Sequence, residues 1–327
     1  MARVYLGKAT PALEKMSEAL EWSGIAQGIR GASAVFVKPN LTFPKYLQGV
    51  TTSPEMIEVV LQALSDYDKD VYVGESDGGY GSFRVEEGFA NFDLTGICRR
   101  TGATLVNLSS AETVDVVLRS GKREVIIALP RLLCETGIHT LTMPVPKVHC
   151  MTGISLSLKN QWGCIPDTMR LRHHVHFNKI ILDLNKALNV RYSVMDGTFG
   201  LDVNGPIVEG TAVPLGWFLA SSDPFAADVV AAYLIGQRLE RISHYHQAHT
   251  LGLVPAKSSI VTNIPPGSLA DLVTPFRLKR NLWNYAAKTT WYSKSWSHFV
   301  YESIAAQTLH RIMYTFRDRP EELNRPG

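Results

Sequence analysis

Cysteine is scarce: only Cys98, Cys134, Cys150 and Cys164 occur in 327 residues, with no C-x-x-C pair and no zinc-ligand spacing. That excludes a disulfide-stapled scaffold and points to a reducing compartment or buried thiols. Neither sign of charge is in large excess, since 33 Lys and Arg face 30 Asp and Glu for a net charge of +3. So mild a balance leaves no electrostatic footprint for nucleic acid. No apolar run reaches the roughly 18 residues that a membrane helix needs. The opening Met1-Ala2-Arg3-Val4-Tyr5-Leu6 carries no apolar signal core, so a cytoplasmic location is expected. Internal repeats, low-complexity tracts, a P-loop and a G-x-G-x-x-G turn are also absent. No Ser-His-Asp or Cys-His order marks a covalent nucleophile. Cys150 stands beside His149, but neighbours on a strand face opposite ways.

What is present is the composition of a globular protein: 45% hydrophobic and 19% charged, with 25 Gly and 17 Pro. Short β-branched runs alternate with helical patterns over the first two-thirds. Ala34 to Val37, Val71 to Val73, Ala103 to Leu108, His139 to Val145, Tyr192 to Met195 and Trp217 to Ala220 read as strands. Val114 to Leu118 and Val125 to Leu129 flank Ser120-Gly121-Lys122 as a hairpin would. Ser53-Pro54 opens one helix, with Ser as cap and Pro in the first turn. Ser222-Asp223-Pro224 opens another, expected to run to Gly236, and Phe177 to Leu188 has helical spacing. The alternation predicts an α/β fold: a largely parallel, doubly wound sheet with helices on both faces. Two units are expected, an α/β domain over 1–272 and a helical extension over 273–327. Between Phe276 and Arg319 lie ten aromatics and eight Lys or Arg against two acids, with no Gly or Pro.

In doubly wound sheets ligands bind beyond the carboxyl ends of the strands. Lys38-Pro39-Asn40, Gly74-Glu75-Ser76-Asp77, Lys147-Val148-His149 and Asp196 all fall at such ends. Lys38, Lys147 and Lys159 suit a carboxylate or phosphate, with Asn40, Thr51, Thr52, Asn160 and Asp196 as further binding candidates. Thr51 and Thr52 precede a helix amino end, where anions are favoured. His149 is a candidate acid or base because imidazole titrates near neutrality. Lys159, if desolvated, is a candidate base or covalent anchor. Asp77 and Glu75 are candidates for moving a proton, with an ordinary Asp-capped turn as the alternative reading. Four of the ten histidines lie between Lys147 and His176, and His173 or His174 is a candidate metal ligand. The His244-x-His246-x-x-His249 run has no accompanying carboxylate and is read as solvent-facing. Asp228, on a helix that is apolar nearly all round, needs a buried partner.

Several motifs follow one another in order: Val37-Lys38-Pro39-Asn40, Thr51-Thr52-Ser53-Pro54, Pro146-Lys147-Val148-His149, Leu158-Lys159-Asn160-x-x-Gly163 and Ser221-Ser222-Asp223-Pro224-x-x-x-Asp228. Together they resemble the bacterial and archaeal domain-of-unknown-function 362 family over about 33–240. Some relatives carry a ferredoxin-like segment, whereas this chain lacks the closely spaced cysteines a cluster requires. A more distant resemblance is to the amino-terminal domain of nickel-pincer lactate racemases. It rests on His149, Lys159, Gly163-x-x-Pro166 and His173-His174. It implies a catalytic His149, a cofactor-carrying Lys159 and a nickel-ligating His173 or His174. Two segments depart from the racemase pattern. An Asp-x-x-Thr-Arg-Pro segment there is Lys38-Pro39-Asn40 here, and the Gly-Thr-His-Arg turn with the second catalytic imidazole is Gly74-Glu75-Ser76-Asp77.

The leading expectation is an isomerase- or lyase-like enzyme acting on a small anionic metabolite by acid–base chemistry. No cofactor is evident in the residues themselves; a nickel-pincer group or other transition metal enters only through the resemblance. One alternative is a redox protein served by an external cofactor or iron–sulfur partner. Another is a non-enzymatic or peripheral membrane role through 276–319, whose basic, tryptophan-rich character also suits a second subunit of a homo-oligomer.

Overall fold

The computed structural model describes residues 1–207 and 209–282, together with 284, 285, 288, 293 and 295. Most of the basic, aromatic-rich helical extension expected over 273–327 lies outside the described residues. Twelve strands are described: β1 (Ala2–Lys8), β2 (Ala34–Pro39), β3 (Asp70–Glu75), β4 (Thr104–Asn107), β5 (Thr113–Ser120), β6 (Arg123–Pro130), β7 (Ile138–Met143), β8 (Lys147–His149), β9 (Gly153–Ser155), β10 (Val190–Asp202), β11 (Thr211–Ser221) and β12 (Ile260–Thr262).

Ten of them form one sheet, in the order β12-β1-β11-β10-β7-β2-β3-β4 with the β8–β9 hairpin attached to β10. Neighbours on the main path are parallel except that β11 runs against both β1 and β10. The sheet is therefore mixed but mostly parallel, as the alternation of strands and helices predicts. β5 and β6 make a separate hairpin, pairing Val117 with Ile126.

Period-two alternation explains why both faces are covered. Ala34 and Phe36 of β2 enter one core, while Val35 and Val37 enter the other. Likewise Trp217 and Leu219 of β11 face the first, and Phe218 and Ala220 the second. Helix Pro54–Leu64 lays Ile57, Val60, Leu61 and Leu64 on the second core, its first turn capped by the Ser53 hydroxyl. Helices Phe177–Ala187 and Pro224–Leu234 close the first core with Ile180, Ile181, Leu184, Val230 and Leu234. The Asp223 carboxylate caps Phe225 and Ala226 at the start of Pro224–Leu234. That helix stops two residues short of the expected Gly236, which takes a left-handed φ of 65°.

The start of the carboxyl-terminal segment is extended and bound to the domain. Thr274 and Phe276 donate to Leu234 and Ile235, the Phe276 ring is buried, and Arg280 donates to the Cys150 carbonyl at 2.5 Å. No helix among the described residues is long and apolar enough to cross a membrane.

Candidate active site

The carboxyl ends of β2, β3, β7 and β10 converge, and the chain after β7 folds over them. Lys38 leaves β2 fully buried and pairs with Glu75 from the end of β3. Glu75 also accepts from the backbone of Leu41 (3.2 Å) and Ser76 (3.0 Å), so both of its oxygens are engaged. Gly163 makes this closeness feasible. A Cβ there would stand 2.6 Å from Glu75 Oε1 and 3.2 Å from Lys38 Nζ. The Asn160 amide donates to the Lys38 carbonyl (3.0 Å) and to Thr142 Oγ1 (2.8 Å), fixing the loop to β2 and β7.

Other predicted binding residues hold the scaffold. Thr52 accepts from the Asn40 N–H at 2.8 Å and donates to the Met143 carbonyl at 2.7 Å. Thr51 exchanges hydrogen bonds with the Leu47 backbone, and Asn40 Oδ1 accepts from Thr42. Asp196 is enclosed by Ser53 on one oxygen and Thr198 on the other. Asp77 caps Val85 at 2.9 Å, as an ordinary turn carboxylate does, and lies 3.7 Å from Arg84. Thr51 and Thr52 lie in the loop before helix Pro54–Leu64, and Asn40 and Asp77 lie just past β2 and β3. Asp196 corrects its expected place at a strand end: β10 continues to Asp202, so Asp196 stands inside it, paired with Phe218 of β11. Each has protein groups as its partners.

Beside this network lies a second group with a different character. Lys147 is buried, and its ammonium donates to the Val50 carbonyl at 2.6 Å. Burial, reinforced by Lys159, holds its pKa well below the usual lysine range. His149, two residues on, accepts from the N–H groups of Met151 (3.1 Å) and Thr152 (3.4 Å) at Nδ1. A neutral imidazole that accepts at Nδ1 carries its proton on Nε2. Burial and the nearby Lys159, Lys147, His174 and His244 keep His149 neutral, far below its ordinary pKa.

Lys159 is the centre of this group. It ends the short helix Ser157–Asn160 and has no hydrogen-bond or ion-pair partner among the described residues. Burial lowers its pKa to about 8, opposed by Cys150 and assisted by Arg170. Arg170 itself is turned to the carbonyls of Asp77, Ile165 and Asp167. Among the described residues, no carboxylate is among the main charges acting on Lys147, His149, Lys159 or His244. Uncompensated bases gathered in a low-dielectric setting form a potential well for an anion.

The helix carrying Lys159 is held by Asp228. Its carboxylate accepts from the Ser157 N–H (2.8 Å), the Leu158 N–H (3.1 Å) and the Tyr245 hydroxyl. The partner that Asp228 requires is thus the amino end of the lysine turn.

The histidines divide unexpectedly. His174 is buried, stacks on Trp162 (ring centroids 5.1 Å apart) and is depressed in pKa first by burial and then by Lys159. His173 is less buried and lies against Arg172. His244 corrects its sequence reading as a solvent-facing residue. It is fully buried, because helix Ser243–Thr250 turns His244, Tyr245 and Ala248 inward. His244 and Ala248 are one helical turn apart, so the buried face was present in the spacing.

Among the described residues, no three His, Cys, Asp or Glu side chains converge as a metal-ligand set. A lysine-tethered, histidine-ligated group would find Lys159 beside His174. The Gly74–Asp77 turn offers it no second imidazole, only a Glu75 already bound to Lys38.

Fold and site together define an α/β protein with a buried cluster of basic side chains near its strand ends. The chain belongs to the family described as "Domain of unknown function (DUF362)", whose model matches residues 35–233. It is 24% identical over 252 residues to the thylakoid-associated protein sll1697 of Synechocystis sp. (strain ATCC 27184 / PCC 6803 / Kazusa), covering 72% of this chain and 74% of that one. Its structure is similar to the lactate racemase apoprotein from Thermoanaerobacterium thermosaccharolyticum, with a TM-score of 0.48 and 14% identity. That match covers 72% of this chain and 57% of the racemase chain.

Proposed function

We propose that this protein is an enzyme that binds a small carboxylate or phosphate metabolite at Lys159 and acts on it by proton transfer. The observation that carries this reading is Lys159 itself: a pKa near 8, imidazoles close by and, among the described residues, no bonded side-chain partner and no opposing carboxylate. A lysine poised near neutrality holds an anion as its ammonium and takes a proton as its free amine. His149, locked with its proton on Nε2, is a hydrogen-bond donor to charge developing on a substrate oxygen rather than a base. Lys147, held on the Val50 carbonyl, is a further base whose pKa is depressed by burial and by Lys159. Isomerisation, epimerisation and elimination next to a carboxylate all use this pair of roles.

The test is solvent deuterium wash-in, followed by proton NMR, across a panel of small carboxylates and phosphate esters. Exchange at one carbon of one panel member, abolished by Lys159→Met, is the expected result. A panel without exchange, together with no measurable anion binding by the wild type, rejects the reading.

A second reading is association with a membrane surface through 276–319. It is supported by the basic, tryptophan-rich composition of that segment and by the relative's name as a thylakoid-associated protein. Sedimentation with anionic vesicles separates the readings, comparing the full chain with one ending at Asn284, which retains the docked Phe276 and Arg280. Equal pelleting of the two chains rejects membrane binding through the segment.

A further inference from the structure

His244 is a buried polar side chain without a partner. It has no exposed surface, and neither Nδ1 nor Nε2 has a hydrogen-bond partner among the described residues. Every imidazole has at least one N–H donor and, when neutral, one lone pair, and leaving both unmet in the interior is costly. Tyr245, next in sequence, is held by Asp228, so the helix has no freedom to turn His244 outward. The ring lies 5.4 Å from Phe177 and 4.6 Å from Tyr245, both apolar on that side. Among the described residues, the charged group acting on it is Lys159.

A second orphan belongs to the same cluster. Trp162 Nε1 is buried and unpartnered. Its ring packs 4.9 Å from Phe177, the same ring that His244 meets from another side. Asp228 joins the helix that carries His244 to the turn that carries Lys159, through the Tyr245 hydroxyl and the Leu158 N–H. Among the described residues, no acceptor meets the Trp162 N–H, the His244 ring or the Lys159 amine. An oxyanion is the chemical class that complements such a set.

We infer that His244 contacts the ligand, donating a hydrogen bond to the same small oxyanion group, carboxylate or phosphate, that Lys159 holds. The inference rests on the anion-binding reading of Lys159 and extends the site to helix Ser243–Thr250. It makes that helix part of the ligand site, with Tyr245–Asp228 as its fastening.

The test is isothermal titration of the full chain with oxalate and, separately, inorganic phosphate, alongside NMR of 15N-histidine-labelled protein. Binding by the wild type, a loss of tenfold or more in His244→Phe and a shift of the His244 nitrogens on saturation are expected. The stronger of the two probes identifies the headgroup class. His244→Asn, smaller but still polar, covers failure of the Phe variant to fold. Affinity within twofold of wild type in a folded His244 variant, while Lys159→Met abolishes binding, overturns the role of His244 and leaves the Lys159 site standing. Absence of wild-type binding to both probes, or binding that survives Lys159→Met, overturns both.

Discussion

Asp228 holds the Ser157 N–H at 2.8 Å across 71 residues of sequence, and through it the turn that presents Lys159. The helix Ser157–Asn160 has only four residues, too few to stand without such a cap. A carboxylate at its amino end also matches the direction of the helix dipole. Asp228→Ala leaves Ser157, Leu158 and the Tyr245 hydroxyl unpaired in the interior. A loss of roughly 3 kcal/mol in urea unfolding is expected. Asp228→Asn, which keeps one acceptor, is expected to lose less. A change under about 0.5 kcal/mol in the Ala variant contradicts the bracing role.

Stability should fall in mild acid. Burial holds His149, His174 and His244 below the ordinary histidine pKa of 6.5, His244 to about 3. Below pH 6.5 the unfolded chain binds protons there that the folded chain refuses, so unfolding gains with each step down. Asp228 acts in the opposite direction. Its pKa is raised to about 6 by burial, so the fold gains on the unfolded chain as pH falls from 6 towards 3.8. His139 and His176 are lowered as well and Asp223 is raised as well, so imidazoles still outnumber carboxyls between pH 6.5 and 5. The urea midpoint is expected to drop across that interval, with a slope shallower by about 1.4 kcal/mol per pH unit in His244→Phe. A flat profile contradicts the burial of neutral imidazoles.

Lys38 and Glu75 form a buried pair whose value depends on its completeness. Lys38→Met strands the Glu75 carboxylate among apolar atoms and the two backbone N–H groups of Leu41 and Ser76. A loss of about 3–5 kcal/mol is expected for the single variant. Lys38→Met with Glu75→Leu is expected to recover most of it, read from urea unfolding. If the double variant is no better than the single, the pair is coupled to more than each other.

Local rules made much of this architecture legible. Ser53-Pro54 and Asp223-Pro224 announced helix starts, and the apolar alternation of β2 announced a strand covered on both sides. Asp228 stood out because a carboxylate on an apolar helix requires a partner. That the partner is Ser157 depends on how helix Pro224–Leu234 crosses the loop after β9, which no local pattern encodes. β10 and β11 were read only at their apolar cores, because Gly197, Gly200 and Pro214 interrupt the strand pattern that the antiparallel pairing carries through. The solvent-facing reading of His244 fails because three histidines in six residues suggest a polar face. The Tyr245 and Ala248 beside it were the signal that the helix buries one side.

Lys159 should be chemically distinguishable from the other lysines. With a pKa near 8, about half of it is free amine at pH 8, roughly a hundredfold more than an ordinary lysine offers. It also retains partial solvent access, whereas Lys147 is sealed off with its ammonium on Val50. Trinitrobenzenesulfonate at pH 7.5, followed by peptide mass mapping, is expected to label Lys159 ahead of the exposed Lys122 and to leave Lys147 unmodified. The labelling rate should rise with a midpoint near pH 8. Because the folded pKa lies below that of the unfolded chain, stability should also rise as pH climbs from 8 towards 10.5. Lys159→Met should reduce this rise, leaving the share that Lys147 contributes, and stabilise the protein at pH 7 by about 1 kcal/mol, as replacing a functional charge in a desolvated site commonly does. A labelling midpoint near the ordinary lysine value of about 10.4 would mean that Lys159 is a solvated cation, and the anion-binding reading would lose its centre.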